Sequence, residues 1–170
     1  MTTSTMVWLA LLPLALAQVG TAADAAPDAI GSKATAHWTD TTEKAAATPA
    51  QKEVLAAGAV ATITGEVVEV SCFLQLGKRG DAHRACGAAC IRHGQPAGIV
   101  DAAGTLTLLF VEEHDPRRDG TIDVREQLAS LIARQVSATG MLTRTKDGHA
   151  ALYVQGPDLV AATTPGGDTK

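Results

Sequence analysis

The sequence predicts a mainly β protein, a small five-stranded barrel carrying two helices, and three observations predict it. Five short β-branched or alternating segments lie between residues 60 and 154. Two of them, TITGEVVEV and VSATGMLTR, share a glycine at their centre, the feature that lets a long strand bend and serve both sides of a small barrel. A segment of helical character follows the first strand and another precedes the last hairpin. The resulting order is strand, helix, strand, strand, helix, strand, strand. A highly bent five-stranded barrel of the OB type accommodates that order, with an α+β sandwich as the alternative.

Each element rests on its own residues. Residues 60–70 (VATITGEVVEV) are β-branched and mostly alternating, as in a bent strand. Residues 82–93 (AHRACGAACIRH) are helix formers without proline, stopped by Gly94 and Pro96 and helical despite Gly87. Residues 97–100 and 105–111 flank the turn Asp101 to Gly104, giving strands two and three. After the charged loop 112–120, residues 122–134 place Val124, Leu128, Leu131 and Ile132 at helical spacing. Residues 135–144 and 150–154 surround Lys146, Asp147 and Gly148, a turn signal that closes the last hairpin.

The flanks read differently. Residues 7–17 (VWLALLPLALA) form an apolar core followed by small residues, the layout of a secretory signal peptide over residues 1–22, although no Lys or Arg precedes it. A periplasmic or secreted protein is expected, with no membrane span after cleavage, because no apolar run reaches the ~20 residues a bilayer requires. Residues 23–57 are rich in Ala, Thr, Asp and Pro and read as a disordered arm, as do residues 159–170 at the other end. The barrel is then expected over residues 58–158, and His37 and Trp38 in the arm are assigned no role. A net charge of −4 argues against general nucleic-acid binding, which needs a basic face.

The chemistry concentrates in C-x10-H-x2-C-x3-C, formed by Cys72, His83, Cys86 and Cys90, which holds all 3 cysteines of the chain. At ~100° per residue His83, Cys86 and Cys90 share one side of the helix within an arc of about 60°. Cys72 is expected to enter from the end of the first strand. Three thiols and an imidazole are the ligand set of a closed tetrahedral zinc site, and thiolates also suit copper(I) and iron. His83 stands ~10.5 Å along the helix from Cys90 and leans away from it, whereas His93 leans back toward Cys90. Two other readings stay open: a structural disulfide with one free thiol, and redox-active thiols. Lys78, Arg79, Arg84 and Arg92 against Asp81 make the segment locally basic, which would lower thiol pKa values.

The motif G-x-V-V-[DE]-x-x-C-[FY]-L, then G-x-x-G, then H-x-x-C-x-x-x-C-x-x-x-G-x-P-x-G is present as Gly65, Val67, Val68, Glu69, Cys72, Phe73, Leu74, Gly77, Gly80, His83, Cys86, Cys90, Gly94, Pro96 and Gly98. In this the chain resembles a group of small exported bacterial proteins with an OB-like domain and no settled function. The resemblance implies that the His and Cys set acts as a unit, as a metal or cofactor site, with His83 preferred as fourth ligand and His93 in reserve. One transition-metal ion is expected, zinc or copper before iron.

No reaction is indicated. G-x-S-x-G, CxxCH and G-x-x-x-x-G-K-[ST] are absent from the sequence. Glu112, Glu113, His114 and Asp115 read as a solvated charged loop. The sequence thus points to an exported metal-binding OB-like domain, in metal handling or electron transfer. Its alternatives are a disulfide-stabilised module that docks a periplasmic protein partner, and a thiol redox protein.

Overall fold

A computed structural model describes residues 27–111 and 123–163. The signal peptide expected over residues 1–22, the loop 112–120 and the residues from 164 onward lie outside the described residues.

The barrel forms from five strands: β2 (Ala59–Glu69), β3 (Ala97–Val100), β4 (Leu106–Phe110), β5 (Gln135–Arg144) and β6 (Ala150–Tyr153). β2 pairs antiparallel with β3, and β3 with β4. β4 pairs parallel with β6, β6 antiparallel with β5, and β5 antiparallel with β2, which closes the ring. This is the expected small OB-like barrel. A short additional strand, β1 (Asp28–Ile30), pairs parallel with the first half of β5.

The two central glycines are where the ring turns. A Cβ on Gly65 would stand 2.3 Å from the carbonyl oxygen of Val100, and one on Gly140 2.1 Å from that of Tyr153. Both neighbours are backbone, which cannot swing aside. At Gly65 β2 comes to the end of its pairing with β5 and takes up β3, and at Gly140 β5 comes to β6. The glycine that weakens a flat strand is therefore required at each corner.

The core is filled by Ile30, Val67, Ile99, Leu109, Val136 and Leu152 from the strands. Helices α4 (Asp81–Arg92) and α5 (Arg125–Leu131) add Ile91 and Leu131. Gly87 lets α4 approach closely, since a Cβ there would stand 3.0 Å from Cγ2 of Ile132. Arg84 ties the same helix to the turn before β5 by donating to the carbonyl oxygens of Ile132 (2.8 Å) and Ala133 (3.1 Å). α5 is shorter than expected because Ile132 is already extended and Ala133 has a φ of 61°.

The flanking segments differ from the expected disorder. Residues 28–56 carry β1, α1 (Asp40–Ala45) and α2 (Pro49–Ala56), and α6 (Gly156–Thr163) follows the barrel. Tertiary burial overrides their weak composition: Ile30 and Leu159 are fully buried in the core. Trp38 packs edge-on against Tyr153 at 5.4 Å, and its indole N–H donates to the carbonyl oxygen of Leu55 at 3.1 Å. Thr48 and Gln51 cap α2 reciprocally.

The corner glycines generate a test. Gly65→Ala and Gly140→Ala are each expected to cost about 1–3 kcal/mol in urea unfolding, because a methyl group has nowhere to go. The exposed Thr64→Ala in the same strand is expected to stay within about 0.5 kcal/mol.

Candidate metal centre

The site is built where β2 leaves the barrel. Glu69, the last residue of β2, is fully buried, and its carboxylate accepts the backbone N–H of Ser71 (2.7 Å) and of Cys72 (2.9 Å). These bonds satisfy two of the unpaired donors at the start of α3 (Val70–Leu76), so Glu69 is the N-cap of that helix. α3 ends at Gly77, whose φ of 64° is the left-handed conformation of a helix stop. Cys72 therefore lies in the first turn of a helix and not at a strand end. The strand reading fails there because Glu69 captures the next amides and turns the chain.

Glu66 then returns the chain toward the barrel, accepting the N–H of Gly80 and facing Arg79 at 4.0 Å. α4 follows and presents Cys86 and Cys90. Ligand atoms of Glu69, Cys72 and Cys90 all lie within 4.8 Å of one another, a group that could hold a metal ion. The Cys72 and Cys90 thiols and the Glu69 carboxylate face one another, and the charge of Cys86 bears on both thiols. Cys86, one helical turn before Cys90, stands outside that group. Cys72 and Cys90 are half-buried, and Cys86 is exposed.

The histidines are placed elsewhere. His83 is 5 % exposed, its ring lies under Gly87, and its Nε2 has no hydrogen-bond partner among the described residues. It stands outside the Glu69, Cys72 and Cys90 group. So does His93, which caps the C-terminus of α4 and is exposed.

The electrostatics reverse the sequence expectation. The Cys72 thiol is pushed up to about 11, first by its hydrogen bond to the Glu69 carboxylate, then by burial and by the negative charge of Glu69. Burial raises Cys90 as well, followed by the charge on Cys86 and Glu69. No basic side chain counts among these causes, because the arginines are engaged elsewhere. Arg84 pairs with Asp81 and the Ile132 and Ala133 carbonyls, Arg92 with Glu126, and Arg79 faces Glu66. The locally basic sequence therefore does not lower these thiols.

Glu69 is the functional candidate that ligand spacing alone did not single out. Its signal was the Glu-x-x-Cys spacing of Glu69 and Cys72, which places both residues at one end of a helix. Two lone-pair sites of its carboxylate are used by the α3 amides, and the others remain for a thiol or a cation. The donor set suits a borderline or soft metal, which would bind the thiolates and balance the buried carboxylate. Comparison with protein-family models, curated proteins and solved structures finds no match.

Thiol reactivity checks this geometry. In the metal-free protein, iodoacetamide at pH 8 is expected to label exposed Cys86 first and Cys72 last, read by peptide mass spectrometry. Glu69→Gln removes the charge that holds the Cys72 proton, so Cys72 labelling should quicken on the order of tenfold. An unchanged rate would remove Glu69 from the site.

Proposed function

We propose that the protein is an exported OB-like domain that holds one transition-metal ion through Cys72, Cys86, Cys90 and Glu69, in metal handling. The observation that carries this reading is the meeting of the buried Glu69 carboxylate with the Cys72 and Cys90 thiols at one corner of the barrel, with Cys86 one helical turn from Cys90. Zinc and copper suit the donors better than iron, and a zinc ion would have three sulfur ligands and one oxygen. The half-open setting favours handling over a purely structural role: Cys86 is exposed, so one ligand can be exchanged from solvent. The apolar run of residues 7–17 supports export.

Protons give the reading its pH dependence. The raised pKa values of Cys72 and Cys90 mean that both thiols are protonated at neutral pH, and binding must displace those protons. Affinity therefore rises with pH and is lost as pH falls. The logarithm of the zinc affinity should climb by about two per pH unit between pH 6 and 8, one for each proton displaced from Cys72 and Cys90.

The closeness of the Cys72 and Cys90 thiols also supports the second reading, a disulfide-stabilised module that meets a periplasmic protein partner. Metal analysis with thiol counting separates the two. The metal reading predicts about one ion per chain, three thiols that react only after chelation, and loss of the ion in Cys72→Ser. One reactive thiol and no ion would establish the disulfide and overturn the metal site.

A further inference from the structure

A second site lies at the opposite end of β2. That strand of 11 residues runs from the end of α2 to Glu69, so the two sites lie at its two ends. Between α1, α2 and the barrel lies a cavity of about 750 Å³, a volume typical of small-molecule pockets. Its floor is aromatic. Phe110 of β4 stacks on Tyr153 of β6, with ring centroids 5.3 Å apart and planes inclined by 22°, and Trp38 meets Tyr153 edge-on. Phe110 is 38 % exposed although it lines a concave surface. The opposite wall is Val54 and Leu55 of α2, held in place by the hydrogen bond from Trp38 to Leu55.

The lining decides what fits. Among the described residues it contains no charged side chain to compensate an ion for its lost hydration. A sugar carries hydroxyl groups around its ring, more than Thr42, Gln51, Thr143 and Tyr153 of the lining can partner. A flat apolar molecule loses little on entering and gains the stacked aromatic floor. Gln51 and Thr143 at the lining can orient a single polar substituent.

We propose that this cavity binds a neutral, flat, largely apolar small molecule, stacked on Phe110 between the barrel and α2. The site is independent of the thiol cluster and does not depend on the metal reading.

The test uses N-phenyl-1-naphthylamine, a neutral aromatic amine whose fluorescence rises when it leaves water, titrated into the full chain. Saturable one-to-one binding is expected. Ala50→Trp, at an exposed helix position lining the cavity, fills it and should weaken binding by about tenfold or more. Phe110→Ala removes the stacking partner and should weaken it about tenfold. Leu74→Ser, at an exposed leucine on α3 beside the other site, should leave binding unchanged. A signal that does not saturate, that survives Ala50→Trp, or that falls equally in Leu74→Ser would overturn the proposal. Circular dichroism of each variant confirms that the fold is kept.

Discussion

The Glu69 carboxylate is the joint on which the thiol cluster depends. A carboxylate at a fully buried position is costly unless its lone pairs are taken. Here two are taken by the amides that open α3, and charge-assisted bonds of this kind are worth about 1.5–3 kcal/mol each. The same bonds decide where β2 stops and where α3 starts, so they set the position of Cys72. One residue thus converts the end of a barrel strand into the floor of a site. Its neighbour Glu66, three residues earlier, anchors the loop that brings α4 and its two cysteines back.

The cluster's electrostatics follow from what surrounds it. Four basic residues stand near the cysteines in sequence, and basic neighbours ordinarily favour thiolate. In the fold Arg84 and Arg92 are committed to holding α4 against α5 and the turn before β5. The Cys72 and Cys90 thiols face the Glu69 carboxylate and each other, which favours their protonated forms. A cation inverts this balance, since its charge favours every group that burial and mutual repulsion disfavour.

Much of the barrel was legible in the sequence because its strands carry strong local signals. The closing strand was read over residues 135–144 as observed, and α4 differs by one residue at each end. The glycine pattern of TITGEVVEV and VSATGMLTR announced the corners, and Gly65 and Gly140 turn them. The flanking elements were not legible. β1 is three residues long and depends on pairing with β5 and on burial of Ile30, both remote in sequence. α2 carried the signal of Thr48, Pro49 and Gln51, outweighed by a composition that reads as disordered. At the site the three cysteines were found from spacing, whereas helical angle alone kept His83 on their side. His83 is buried beside Gly87 of its own helix and stands outside the Glu69, Cys72 and Cys90 group. Glu69 was hidden because a glutamate in a strand reads as a solvent-facing residue until a helix start is found after it.

X-ray absorption spectroscopy at the edge of the bound metal tests the central claim most directly. For a zinc-loaded protein the account predicts about three sulfur scatterers near 2.3 Å and one oxygen near 2.0 Å, without the outer-shell scattering of an imidazole. An imidazole signature would put His83 or His93 in place of Glu69. A shell made only of oxygen and nitrogen would contradict the thiolate site altogether.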